Sequence, residues 1–295
     1  MSGSEVDRVR ELLESLPRPA DLAERRVRLD TIASADGVAP DIRFEPIAIG
    51  DCDGEWSLAP GSDASRVLLF FHGGGYCSGS IRSHRGMVSE AGRAADVRTL
   101  AVGYRLAPES PFPAALEDAL AAIEFLRDQG IAADRIAIGG DSAGGGLSLA
   151  VMTSLRDAGK PLPACAWLVS PWVDLEMTGP SIDSKATIDP LIHRQYLEEL
   201  AANYLHGQDR RNPLVSPLYA DLAGLPPVLI QVGSAETLLD DAVRIAGRLG
   251  AADVATSLEV WPHMIHAWHL WSTRLTAGRQ ALASAGAFIR THLRG

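Results

Sequence analysis

Apolar positions along this chain fall into two kinds of run. Arg66–His72, Val97–Tyr104, Arg135–Gly139, Cys165–Ser170 and Pro227–Gly233 are short and mostly apolar, and Thr256–Trp261 is a further short run that reads as a strand. Such runs read as strands buried on both faces. Between them lie longer stretches with one apolar side: Pro113–Gln129, Ala143–Asp157, about 238–249 and 275–293. These read as helices with a 3.6-residue period. Strands alternating with helices predict an α/β domain, a mostly parallel central sheet flanked by helices on both faces.

Two regions break the rhythm. In residues 1–45, Val6, Val9, Leu12, Leu13 and Leu16 recur at helical spacing until Pro17 and Pro19 stop the pattern. A second short helix fits Asp21–Ile32. Between about 180 and 212, Tyr196, Leu197, Leu200 and Tyr204 mark one helical stripe. The expected organisation is an N-terminal cap of helices over 1–45 and a main domain over 46–295. An inserted cap segment at about 180–212 would cover the carboxyl edge of the sheet, where open α/β sheets bind ligands. Trp172, Ile182, Ile188, Leu191, Tyr196 and Tyr204 are candidates for pocket walls or for helix packing.

Composition narrows the class. At 295 residues, 46% hydrophobic and 22% charged, the chain can bury a large core unaided. A net charge of −10 argues against nucleic acid and against docking on anionic membranes. No run reaches the roughly 20 apolar residues of a membrane helix. The polar stretch Met1–Val9 is unlike a signal peptide. Cys52, Cys77 and Cys165 are too few and scattered for a disulfide framework and suit a reducing compartment, so a cytoplasmic location is expected.

The chemistry sits at strand ends. Gly140-Asp141-Ser142-Ala143-Gly144 matches Gly-x-Ser-x-Gly, follows a strand and opens a helix, which is the setting of a nucleophile elbow. The bland alternative is a glycine turn with Ser142 as helix cap. His72-Gly73-Gly74-Gly75 follows the strand ending at Phe71. Backbone amides at Gly73, Gly74 and Gly75, together with that of Ala143, are candidates for an oxyanion hole. A phosphate-binding glycine loop would need a Lys-Ser/Thr ending or a Gly-x-Gly-x-x-Gly spacing, and neither occurs.

The elbow predicts an acid and then a histidine further along. After Pro227–Gly233 come Glu236, Asp240 and Asp241. Glu236 stands nearest the strand end and is the first choice of acid, with Asp240 the alternative. The other two look like a helix first turn, where carboxylates favour the dipole. After Thr256–Trp261 come His263, His266 and His269. His266 is the candidate base, and the flanking pair are read as accessory or exposed. No Cys or carboxylate set accompanies them, so no metal is assigned.

Together these residues resemble the hormone-sensitive-lipase-like branch of bacterial esterases, with the α/β-hydrolase fold. The matching segments are His72–Gly75, Tyr104–Glu109, Pro111–Ala115, Gly140–Gly144, Ser170-Pro171-Trp172, the Glu236 loop and His266-Ala267-Trp268. The resemblance implies Ser142 as nucleophile, Glu236 as acid, His266 as base, and oxyanion donors in the glycine loop, with Gly74 and Gly75 foremost. It implies no cofactor or metal, and a small-molecule ester of short to medium acyl chain as substrate. Many members carry Asp where Glu236 stands. Trp268 replaces a common Phe, and a reshaped pocket wall is expected there. Arg105 and Glu109 are expected to tie loops beneath the site. Relatives pair through a sheet edge, so strand 256–261 is the candidate edge for a homodimer. The alternatives are a lactone hydrolase, an amidase or peptidase on the same triad, and a binding protein that has lost catalysis.

Overall fold

Central strands that are buried at every position need cover on both faces, and here each face has its own layer of helices. The computed structural model describes residues 4–16, 18–34 and 37–293. Pro17, one of the prolines expected to end the first helix, lies outside them, as do Met1–Gly3. The strands are β1 (Arg43–Ile49), β2 (Cys52–Leu58), β3 (Asp63–Phe71), β4 (Val97–Gly103), β5 (Ile136–Asp141), β6 (Cys165–Val169), β7 (Val228–Gly233) and β8 (Thr256–Trp261). They form one sheet in the order β1-β2-β4-β3-β5-β6-β7-β8. β1 and β2 pair antiparallel with their neighbours; every pair from β4 to β8 is parallel.

The helices are α1 (Glu5–Ser15), α2 (Leu22–Ser34), α3 (Ile81–Ala95), α4 (Ala114–Asp128), α5 (Ala143–Asp157), α6 (Ser181–Ser184), α7 (Arg194–Leu205), α8 (Leu239–Ala251) and α9 (Thr276–His292). Strand side chains alternate between faces. Val67, Leu69 and Phe71 of β3 therefore join the core under α4, α5 and α8, together with Ile138, Leu168 and Ile230. Leu68 and Phe70 join the opposite layer with Ala137, Trp167 and Leu229, against Met87 and Val88 of α3 and Leu282 and Ile289 of α9. Fully burying such a side chain contributes roughly 1.5–3 kcal/mol. β8 is the outer edge, and Leu258 and Val260 are exposed on it.

Three elements were not anticipated. β1 and β2 form a hairpin in register Arg43↔Leu58 to Ile49↔Cys52. α3 begins with a reciprocal capping box between Ser80 and Ser83. The N-terminal helices form as expected. α1 buries Val6, Val9 and Leu13 against Met264, Ile265 and Trp268. α2 is tied down by Arg26, which meets Glu109 at 2.7 Å and donates to the carbonyls of Cys77 and Ala107. Glu109 thus anchors α2 rather than a loop beneath the site. Arg105 does tie a loop, through Asp118 at 2.8 Å and Glu117 at 3.0 Å. Among the described residues no helix is long and apolar enough to cross a membrane.

Candidate active site

Parallel β3, β5, β7 and β8 deliver their following loops to one edge of the sheet. β5 runs straight into Ser142 and then α5. Ser142 has φ 54° and ψ −120°, a region that costs a non-glycine residue about 1–3 kcal/mol. Its surroundings hold it there. Its N–H donates to the Val169 carbonyl at 2.8 Å, and its carbonyl accepts from Trp172 at 2.9 Å and Gly145 at 3.0 Å. Burial along β5 and α5 outweighs the strain. Gly144 is required by close approach: a Cβ there would lie 1.9 Å from the Phe71 carbonyl oxygen. That contact presses the helix start against the end of β3, which brings the His72–Gly75 loop beside Ser142.

The glycine loop is braced from beneath. His72 Nδ1 bonds the Gly73 carbonyl at 2.8 Å, and its ring stacks on Tyr104 with centroids 4.3 Å apart. Tyr104 Oη donates to the His72 carbonyl at 2.7 Å. Burial, aided by nearby His84, lowers the His72 pKa to about 4, so the ring is neutral. The Gly73 N–H donates to Asp141 Oδ1 at 2.8 Å. That engagement separates Gly73 from Gly74, Gly75 and Ala143, whose amides donate to no other described residue. Gly74 has φ 114°, which only glycine adopts readily.

Behind this loop lies a pair that no motif announced. His84 Nε2 sits 3.2 Å from the Asp141 carboxylate, and both side chains are buried. Burial opposes charge on each. Their mutual attraction outweighs it, raising the His84 pKa and lowering that of Asp141. The pair fixes the residue before Ser142 and, through Gly73, the glycine loop.

Glu236 and His266 meet in the loops after β7 and β8. His266 Nδ1 lies 3.2 Å from Glu236 Oε1. Glu236 Oε2 accepts from Ser170 Oγ and from the Gly233 N–H, both at 2.8 Å. Ser170 Oγ also accepts from the Ala267 N–H at 3.2 Å, so it bridges the acid loop and the histidine loop. With an acceptor facing Nδ1, the neutral imidazole carries its proton there and presents Nε2 as the basic atom. Burial disfavours the imidazolium, but the Glu236 hydrogen bond and charge outweigh it and the His266 pKa is raised.

The competing carboxylates have other employment. Asp240 Oδ2 accepts from the Ser181 N–H at 2.6 Å. Asp241 is buried and accepts from the Val173 and Asp174 N–H groups at 2.9 and 3.0 Å. Burial, with Asp174 close by, pushes its pKa up to about 8. The unfolded chain ionises this group near pH 4 while the folded one keeps its proton to about pH 8, so it costs stability progressively as pH rises across that window. Asp241→Asn keeps an acceptor for both amides. It is expected to raise the melting temperature at pH 8 and to leave it nearly unchanged at pH 4, as read by calorimetry.

The three flanking expectations resolve differently. His263 is exposed. His269 is fully buried, bonded to Gln231 Oε1 at 2.8 Å, and burial lowers its pKa to about 3. Trp268 is also fully buried. It belongs to the cluster that seats α1 and does not line the pocket described next. Among the described residues no cluster of His, Cys, Asp and Glu fit for a metal occurs. Burial pushes the three thiols up to about 12, so none is an activated nucleophile.

Ser142, His266, Gly74 and Gly75 line one pocket of about 110 Å³. Trp172, Leu191 and Tyr196 line it as anticipated. Ile182, Ile188 and Tyr204 do not: Ile188 is exposed, and Tyr204 stacks on Tyr76 at 3.8 Å. A larger cavity of about 510 Å³ between α3 and α9 contains neither Ser142 nor His266.

The model of an alpha/beta hydrolase fold family matches residues 68–270. The chain belongs to this α/β-hydrolase family. It is 43% identical to an acetyl-hydrolase of Streptomyces hygroscopicus over 99% of this chain and 98% of that one. It is 32% identical to an esterase of Acinetobacter venetianus over 92% and 90% of the two chains. A solved esterase of the bacterial hormone-sensitive lipase family superposes with a TM-score of 0.97 at 44% identity, covering 100% of both. This α/β-hydrolase is therefore a carboxylic ester hydrolase of the hormone-sensitive-lipase-like branch.

Proposed function

We propose that the chain is a serine carboxylesterase acting through an acyl-enzyme on short- to medium-chain esters. The observation that carries the reading is the pocket shared by Ser142, on its strained elbow, and His266, whose Nδ1 faces Glu236. Ser142 Oγ attacks the ester carbonyl while His266 Nε2 takes its proton. The developing oxyanion is met by the free amides of Gly74, Gly75 and Ala143. The imidazolium, stabilised by Glu236, returns the proton to the departing alkoxide. Water, deprotonated by the same nitrogen, attacks the acyl-enzyme and frees the acid and Ser142.

The helical elements α1, α2 and the segment about 180–212 serve as the cap. Arg18, Arg25 and Leu29 of the N-terminal region and Leu191, Tyr196 and Leu200 of the insertion roof the pocket. Asp189 binds this roof to the acid loop: it accepts from Leu191 and Ile192 with one oxygen and from the Thr237 N–H with the other. A pocket of about 110 Å³ is small for a ligand site, which supports a preference at the short end.

The test is hydrolysis of 4-nitrophenyl acetate, butyrate, hexanoate, octanoate and decanoate. Turnover peaking at butyrate or below, and falling by hexanoate and beyond, is expected. Folded protein without turnover on any of them, or turnover rising to decanoate, would contradict the reading.

A further inference from the structure

The roof of the pocket carries three cations. Arg18, Arg25 and Arg28 all line it, on α2 and the turn before it. Asp141 is the one carboxylate among the described lining residues, and His84 and the Gly73 amide engage it. The three arginines differ in what holds them. Arg25 meets Glu199 at 2.6 Å. Arg18 sits over the Tyr196 ring with its guanidinium carbon 3.6 Å from the centroid, donates to the Leu191 carbonyl and sits 3.2 Å from His193 Nε2. Arg28 donates to the Leu16 carbonyl, and its Nε is buried without a partner.

Neither Arg18 nor Arg28 has a carboxylate within ion-pair distance among the described residues, although acids outnumber bases in the chain. The acid nearest in effect to Arg18 is Asp189, and its oxygens are taken by Leu191, Ile192 and Thr237. Burial works against charge on both guanidinium groups. A buried or half-buried cation lacking a counterion is a standing electrostatic cost, relieved when an anion arrives. Arg18 has a packing role on Tyr196 that explains its place. Arg28 has no such aromatic partner; the Leu16 carbonyl at the end of α1 takes one of its donors and leaves its Nε unpaired.

We propose that this pocket selects esters that carry a second, ionised carboxylate, seated at Arg28 and Arg18 while the ester carbonyl lies at Ser142. The proposal rests on the esterase reading above and names its substrate class. The carboxylate is a spectator: the bonds made and broken are those of ester hydrolysis, one water yielding one acid and one alcohol. A guanidinium presents a planar fork of donors that suits a carboxylate. The acidic remainder of the surface would repel such substrates, so the site must supply the attraction locally.

The experiment compares matched esters that differ in one charge. 4-Acetoxybenzoate against 4-acetoxybenzamide places it on the alcohol side. The mono-4-nitrophenyl ester of adipic acid against its adipamide counterpart places it on the acyl side. In at least one pair the charged ester is expected to have kcat/KM about tenfold higher at low ionic strength. Molar salt, where the Debye length is about 3 Å, should erode that ratio. Arg28→Gln should bring it towards one, and Arg28→Lys should keep part of it. Neutral esters turned over with a ratio at or below one in both pairs overturn the proposal and leave the esterase reading intact. A preference that neither salt nor Arg28→Gln reduces also overturns it. Folded protein that hydrolyses none of the four overturns both.

Discussion

Ser142→Ala is expected to lower kcat on 4-nitrophenyl butyrate by about 10⁶-fold, roughly 8 kcal/mol of transition-state stabilisation. The residual rate over water comes from the oxyanion amides and from binding. Folding should survive. The elbow is held through the Ser142 backbone, by Val169 and Trp172, and those bonds do not involve the hydroxyl. Alanine at φ 54° carries the same strain as serine, so the melting temperature should change little. Ser142→Gly relieves the strain and should raise it, with activity equally lost. The pair of variants separates catalysis from stability, read by stopped-time assays and calorimetry.

Glu236→Gln is expected to cost about 10³–10⁴-fold in kcat, and the cause is a tautomer. Glu236 Oε2 is fixed by two donors, Ser170 Oγ and the Gly233 N–H. A glutamine must offer its single oxygen to them, which turns its amide N–H₂ toward His266 Nδ1. Nδ1 then becomes an acceptor and the proton moves to Nε2, where no base can act. The pH profile should move as well. On the proposed mechanism kcat/KM requires neutral His266, and its pKa is raised by Glu236, so the acid limb lies above the ordinary imidazole range. Removing the Glu236 charge removes the cause of that rise. The acid limb of the variant should therefore lie at lower pH, whereas loss through misfolding would leave its position unchanged.

How much of this was readable beforehand follows from the physics of each element. β5 and α5 were plain because both are buried nearly throughout, and β8 and α9 because their flanking turns and period are clear. β2 was hidden because Glu55 interrupts its apolar pattern. That carboxylate is buried only because Arg85 of α3 reaches it at 2.6 Å. β1 contains Pro46, which usually argues against a strand and is tolerated here on an edge. α3 is rich in Ser and Gly, poor helix formers, and packs small residues such as Ala91 and Gly92 against the sheet and α9.

The same logic holds at the site. Ser142, Glu236 and His266 were legible as candidates because each follows a strand in a known order, and the fold brings the loops that carry them together. His84 and Asp141 lie 57 positions apart and meet only because α3 packs across the sheet at β4, which brings its first turn to the end of β5. No spacing rule encodes that contact. The family resemblance placed Gly74 and Gly75 ahead of Gly73, and the Asp141 carboxylate, which takes the Gly73 amide, supplies the physical reason. Trp268 looked like a pocket residue by its place beside His266. The αL turn at Ala267 instead sends it toward α1.

The central claim is that Ser142 is an activated nucleophile. The direct measurement is intact mass followed by peptide mapping after treatment with a fluorophosphonate. A single adduct on the peptide bearing Ser142, absent in Ser142→Ala and slowed in Glu236→Gln, is the predicted result. Folded, unlabelled protein, or an adduct on any other residue, would contradict the account.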